Sequence, residues 1–211
     1  MSLYVRTAMQ ILEIETNNVL FDFPTEETRR LVELAAEQRQ PLVNASLRYC
    51  FMGNANLKGV NLAGADLRDA QLNSTTLQYA DLYNANLEDA SLCFSILVGA
   101  NLVGANLKGT KLPSPTMVLL ADWGELSDEL TADLMVWDSV NHPNPNAFDV
   151  WAKTGACPYV QYREVSRAAN FHEKPSLWGK GKECKPYDLM KRVLAEKCPP
   201  WTDEQLAKFS K

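Results

Sequence analysis

Ala80-Asp81-Leu82-Tyr83-Asn84-Ala85-Asn86-Leu87-Glu88-Asp89-Ala90-Ser91-Leu92 is the centre of the stretch that decides the fold. A small residue, a small polar residue and a leucine return every five positions. Followed outward from Gln40 to Leu119, the beat does not slip. The third residue of each five is Leu42, Leu47, Met52, Leu57, Leu62, Leu67, Leu72, Leu77, Leu82, Leu87, Leu92, Leu97, Leu102, Leu107, Leu112 and Met117. That makes sixteen apolar positions in a row, fourteen of them Leu. A repeat of this kind outranks any segment-by-segment reading.

A period of five excludes the ordinary elements. On an α-helix a step of five turns about 140°, so the leucines scatter around the circumference. On a flat strand a step of five sends each successive leucine to the opposite face. A chain that turns the same corner after every five residues gathers them instead. Leu then points to a common axis, with the small first residue (Ala45, Ala65, Ala85, Ala105) beside it. Successive coils stack about 4.8 Å apart, the spacing of paired strands.

The triplets Ala55-Asn56-Leu57, Ala65-Asp66-Leu67, Ala80-Asp81-Leu82, Ala85-Asn86-Leu87, Ala100-Asn101-Leu102 and Ala105-Asn106-Leu107 resemble the signature of the pentapeptide-repeat family. The resemblance covers about eighty of the 211 residues. It implies a mainly β fold, a right-handed quadrilateral β-helix with four pentapeptides per coil. Sixteen repeats then make about four coils of solenoid. Residues twenty apart stack in rows along its sides.

Composition fits a globular chain: 46% of residues are hydrophobic and 22% charged. No apolar run is long enough to cross a membrane, and the first residues lack a secretory pattern. Five scattered cysteines read as free thiols in a reducing cytoplasm. The net charge of −5 gives no drive toward nucleic acid. Within the coil Arg48, Lys58, Arg68, Lys108 and Lys111 balance Asp66, Asp69, Asp81, Glu88 and Asp89.

Three domains are expected: 1–39, 40–119 and 120–211. Met1 to Thr7 reads as a disordered lead. Ile11 to Phe23 reads as a hairpin in which Leu12, Ile14 and Thr16 face Val19, Phe21 and Phe23 across an Asn17-Asn18 turn. Thr25 caps a helix over about 26–39 with Leu31, Leu34 and Ala35 on its apolar stripe. Hairpin and helix together make the lid that the open end of a solenoid needs.

Pro113 and Pro115 announce the end of the coil. The remainder is expected to be a small, tryptophan-rich helical domain packed on the last coil. Its helices are expected over about 128–140 after Ser127, over 146–153 with Gly155 beyond, over 186–197, and after Thr202. The segment 157–185 is expected to be irregular, with Trp178 to Lys182 an exposed loop.

Candidate chemistry is sparse. His142, Cys157, His172, Cys184 and Cys198 lack the spacing of a closed zinc site. Cys157 with either histidine is a pair of types without a nucleophile motif. Asp122, Glu125, Asp128, Glu129 and Asp133 suit a solvated helix start. Arg163, Arg167, Lys174, Lys180, Lys182 and Lys185 alternate with Glu164, Glu173 and Glu183. No phosphate-cradling loop is present. The chain is therefore read as a non-enzymatic scaffold without a cofactor, binding an unknown protein partner. The candidate docking residues are Val43, Ala63, Tyr83 and Val103 on the first face, with Ile96 and Val98 on the fourth. A DNA mimic that protects a type II topoisomerase is the alternative that the resemblance suggests. A further alternative is an enzyme or metal site in the C-terminal part. A homodimer through that part is also expected, because five tryptophans exceed what a small core hides.

Overall fold

The computed structural model of the chain describes residues 9–12, 19–23, 28–141, 144, 146–155, 171 and 174–198. Met1 to Thr7, Ile14, Thr16, Asn17, Asn18, Thr25, His142, Cys157, Arg163, Glu164, Arg167, His172, Glu173 and Thr202, all named above, lie outside them.

Residues 42–112 wind as one coil with a twenty-residue period. Parallel bridges join Ser46 to Asp66, Asp66 to Asn86, Asn61 to Asp81 and Asp81 to Asn101. Each coil is tied to the next in the same way. The Leu62 N–H donates to the Asp81 carbonyl (2.8 Å) and the Gly64 N–H to that of Tyr83 (2.7 Å), while the Asp81 N–H donates back to Val60 (2.9 Å). Pairing stays at isolated bridges because no side is long enough for a strand. From Leu42 to Leu107 every third residue is at most 2% exposed, Met52 included. The leucines meet along the axis, as the period requires.

Local chemistry makes the corners. The Ala65 N–H donates to the Leu62 carbonyl (3.0 Å), closing a turn whose third residue, Gly64, has φ +68°. That is the pattern of a type II turn, which needs a residue tolerant of positive φ at its third position. From Asn44 to Gly109 every fifth residue has positive φ. Ten of these fourteen are Gly, Asn or Asp, the types that reach the left-handed region most easily. The second residue of each five has its own task. Asn61, Asp81, Asn86, Asn101 and Asn106 each accept, through Oδ1, the N–H two residues on (3.1 Å). Buried hydroxyls at the first position are satisfied too: Thr75 donates to Met52 O (2.8 Å) and Thr110 to Leu87 O (2.7 Å).

At the N-terminal end, β1 (Met9–Leu12) pairs antiparallel with β2 (Val19–Phe23). The hairpin exists in a different register from the one expected. Met9 pairs with Phe23 and Ile11 with Phe21, where the expected register sets Leu12 against Phe23. The sequence offers two out-of-phase apolar sets here, Met9/Ile11 and Leu12/Ile14, and register follows whichever set pairs. Helix α1 (Thr28–Glu37) buries Leu31, Val32 and Ala35; Leu34, expected inward, is half-buried. Arg39 (φ 54°) ends it, with the Gln40 N–H returning to the Ala35 carbonyl (2.8 Å). Glu33 accepts the Asn56 N–H (2.9 Å), covering one open donor of the first coil.

The C-terminal end departs from expectation. The sixteenth repeat is not a coil segment. Pro115 opens α2 (Pro115–Leu119), where proline suits the first helical position but cannot donate to a ladder. Met117, expected on the axis, is half-buried, while Val118, expected on the fourth face, is fully buried. The coil then resumes. Asp122 bridges Asn101, and the Leu102 N–H donates to the Asp122 carbonyl (2.8 Å). Ala121-Asp122-Trp123 thus stacks beneath Ala100-Asn101-Leu102 as one more repeat, displaced one residue by the helix. Its indole N–H donates to Val118 O (2.9 Å).

Helix α3 (Asp128–Asn141) buries nine residues, including Leu130, Leu134 and Trp137. Around it lie α4 (Ala147–Thr154), ended by Gly155 at φ 74°, a 3-10 turn (Pro175–Leu177) and α5 (Pro186–Lys197). Helix α5 packs on both α2 and α3. A single apolar core runs from Leu31 through the coil to Leu194.

Candidate functional site

The two-residue offsets on each side of the coil sort into rows. Val43, Ala63, Tyr83 and Val103 form one row on the first face. Tyr83 is 47% and Val43 36% exposed, whereas Ala63 and Val103 are half-buried. Gly124 lies under Val103: a Cβ there would sit 3.1 Å from Val103 Cγ2. The row is therefore open at its N-terminal end and roofed by the chain itself at the other. A polar row runs beside it, Asn61, Asp81, Asn101 and Asp122, in which the Asn101 amide donates to Asp81 Oδ1 (2.9 Å). Ile96 (42% exposed) and half-buried Val98 lie on the fourth face, so the six candidates form two separate surfaces.

On the second face the charges are consumed by one another. Arg68 grips Asp66 with Nε to Oδ1 at 2.8 Å and Nη2 to Oδ2 at 2.5 Å, and Arg48 lies 4.0 Å from the same carboxylate. Burial pushes the Asp66 pKa up, but the Arg68 side chain and N–H and both guanidinium charges outweigh it. The carboxyl ends below its ordinary range. Lys108 holds Glu88 at 2.8 Å, which likewise lowers the Glu88 pKa.

The third face carries Phe51, Gln71, Ser91 and Lys111 in one bridged row and Gly53, Asn73, Cys93 and Pro113 in the next. Asn54, Ser74 and Phe94 occupy its corner. Sequence reasoning passed over Phe51 and Phe94, which are 77% and 85% exposed. The signal was available, since both stand at outward positions of the five.

In the C-terminal part Asp128 and Glu129 form an exposed helix start, as expected, and Glu125 before them is exposed too, but Asp133 is not solvated. Asp133 is 2% exposed. It accepts Arg192 Nη1 at 2.5 Å and the Lys182 N–H at 2.6 Å, with Cys184 Sγ at 3.9 Å. Burial raises its pKa, and the Arg192 and Lys182 hydrogen bonds more than reverse that, leaving it lowered. Gly181 presses onto the α3 backbone, where a Cβ would lie 2.1 Å from the Ala132 carbonyl oxygen. The segment expected as an exposed loop is thereby pinned. Trp178 is half-buried against Phe148 (ring centroids 5.1 Å apart) and donates to Asp149 (2.9 Å). Ser127 precedes α3 as expected, but its hydroxyl donates to Glu196 (2.7 Å). Of the five tryptophans behind the expected dimer, Trp123, Trp137 and Trp151 are buried within the chain, Trp178 is half-buried, and Trp201 lies outside the described residues. His142, Cys157 and His172 fall outside the described residues. Among the described ones no cluster of three His, Cys, Asp or Glu could hold a metal. A cavity between Leu119, Trp123, Phe171 and Val193 has about 10 Å³ of free volume, room for one water.

The model of pentapeptide repeats matches residues 42–78 and 77–112, with eight copies. The chain belongs to the pentapeptide-repeat family. This pentapeptide-repeat protein is similar to three solved members. One, from Nostoc PCC 7120, is 36% identical over 44% of this chain and 80% of its own (TM-score 0.26). Another, from the cyanobacterium Cyanothece 51142, is 35% identical over 40% and 60% (TM-score 0.34). A third, from the Arabidopsis thaliana thylakoid lumen, is 23% identical over 37% and 50% (TM-score 0.33). The chain spans half to three fifths of the length of the last two. No curated protein matches it. No described helix is long and apolar enough to cross a membrane.

Proposed function

We infer that this pentapeptide-repeat protein is a non-enzymatic scaffold, and that its first face docks a protein partner. The observation that carries this reading is Tyr83. It stands 47% exposed between Ala63 and Val103, beside the polar row of Asn61, Asp81 and Asn101. An exposed aromatic flanked by small apolar residues and rimmed by amides and a carboxylate is the composition of a protein-binding hot spot. Its backbone is held on both sides by ladder hydrogen bonds, so little order is lost on binding. The coil is read as a right-handed four-sided β-helix with a hairpin–helix cap and a helical tail, in the cytoplasm. The topoisomerase alternative requires an acidic face. Here Asp66 and Glu88 are neutralised by Arg68 and Lys108.

Affinity capture from the native host, run in parallel with wild type and Tyr83→Arg, tests the reading. A protein held by the wild type and lost by the variant is the expected result. Equal recovery on both baits removes the first face from consideration.

A further inference from the structure

We propose that the third face of the coil is a self-association surface, on which two copies of this chain pack antiparallel. Phe94 occupies a corner with φ 62°, where a side chain costs conformational energy, and it is 85% exposed, so burial returns nothing. The other two aromatic corners are supported. Tyr49 lies 5.0 Å from the Arg48 guanidinium, and Tyr79 lies 5.9 Å from the Lys58 ammonium. No comparable support for Phe94 is found among the described residues. A residue unfavourable both in backbone and in exposure points to a contact outside the chain.

Phe51 supplies the second observation. It stands 77% exposed at the head of the row Phe51–Gln71–Ser91–Lys111, and Phe94 stands at the diagonally opposite side of the same face. Small residues lie between them: Gly53, Asn73, Ser91 and Cys93. Lys111 closes the row, exposed, and without an ion-pair partner among the described residues.

This pattern is self-complementary. A two-fold axis lying flat on the face, crossing the coil between Gln71 and Ser91, exchanges the first coil with the fourth and the second with the third. It sets each Phe51 ring opposite Lys111 of the other copy, twice by symmetry, an aromatic face against a cation. It sets each Phe94 over Ser74 of the other copy. Charge and shape therefore favour a second copy over an unrelated partner. Four coils at about 4.8 Å give a face roughly 20 Å tall. Its area falls below the ~800 Å² per partner of a stable complex, so the association is weak and reversible.

Sedimentation velocity over about 10–500 µM, the range of a weak interface, tests the proposal on the full chain. The expected result is a weight-average mass rising from 23.6 kDa toward twice that value. Phe51→Lys and Lys111→Glu each weaken association about tenfold or more. Phe51→Glu retains it, since a carboxylate replaces the ring opposite Lys111. Tyr83→Arg, on the first face, leaves it unchanged, which separates this proposal from the docking reading above. Circular dichroism confirms that each variant is folded. A mass that stays monomeric throughout overturns the proposal, as does association that Phe51→Lys does not weaken.

Discussion

Gly59 and Gly99 occupy the same corner two coils apart, with φ +68° and +66°, yet alanine should cost very different amounts at the two sites. At Gly59 a new Cβ meets nothing within 4 Å. The cost is then the left-handed strain alone, about 1–2 kcal/mol, less about 0.4–1 kcal/mol regained by restricting the unfolded chain. The net loss is about 1 kcal/mol. At Gly99 the same Cβ would sit 2.5 Å from Tyr79 Cδ1 and 2.7 Å from Cε1. The Tyr79 ring, packed against the glycine of the coil below, must move, and overpacking of this kind adds about 1–3 kcal/mol. Gly99→Ala is therefore expected to cost about 2–4 kcal/mol, measured by urea unfolding followed by far-UV circular dichroism. The excess belongs to the ring, so adding Tyr79→Gly should return the cost of Gly99→Ala to that of Gly59→Ala. Equal costs at the two glycines, or no rescue by Tyr79→Gly, would refute the stacking argument.

Two adjacent positions test the inward assignment: Leu77→Asp should abolish folding, because Leu77 is fully buried, while Gln78→Asp should keep native circular dichroism. Equal tolerance of both would contradict it. In the tail, Asp133→Asn should cost about 2–3 kcal/mol at pH 7, somewhat below the 3–5 of a fully buried pair because the Arg192 side chain is 35% exposed. Asp133 has a folded pKa below its unfolded value of about 3.9, so its contribution is present above that value and lost as pH falls through the folded one. The gap between wild type and variant should be full at pH 6–7 and narrow below about pH 4. A gap that widens in acid would show that Asp133 does not act as a paired carboxylate.

The coil was legible because one physical demand, fourteen leucines on one axis, repeats without interruption. The corners were equally legible and were passed over. Asn44, Asn54, Asn84, Asp69, Asp89 and the glycines at 59, 64, 99, 104 and 109 spell out positive φ at every fifth residue. The last repeat was hidden by a different cause. Ala121-Asp122-Trp123 carries the small–acidic–apolar signature, but α2 inserts between Leu112 and it and shifts the beat by one. A strict count in fives therefore discards it. In the hairpin, two apolar sets out of phase left the register undetermined until pairing chose Met9 and Ile11. The burial of Asp133 had no local signal at all, since its partners Lys182 and Arg192 lie 49 and 59 residues away.

A repeat this strict also narrows where function can reside. Of each five residues, the first and third are spent on the axis, the second on the N–H two residues on, and the fifth on the turn. Only the fourth is free of a backbone duty, which is why the first face is judged by Val43, Ala63, Tyr83 and Val103. Departures at the constrained positions then carry more information than choices at the free one. Most departures here are absorbed within the chain. Thr75 and Thr110 return their hydroxyls to carbonyls, Tyr79 lies on Gly99, and Tyr49 accepts an Arg48 hydrogen bond at 3.0 Å. Phe51 replaces an amide acceptor and Phe94 replaces a glycine or asparagine, and both remain exposed. Both sit on the one face whose central residues are small and uncharged. Local consistency fails there twice and nowhere repairs itself, and such failures are expected where a surface is built for contact.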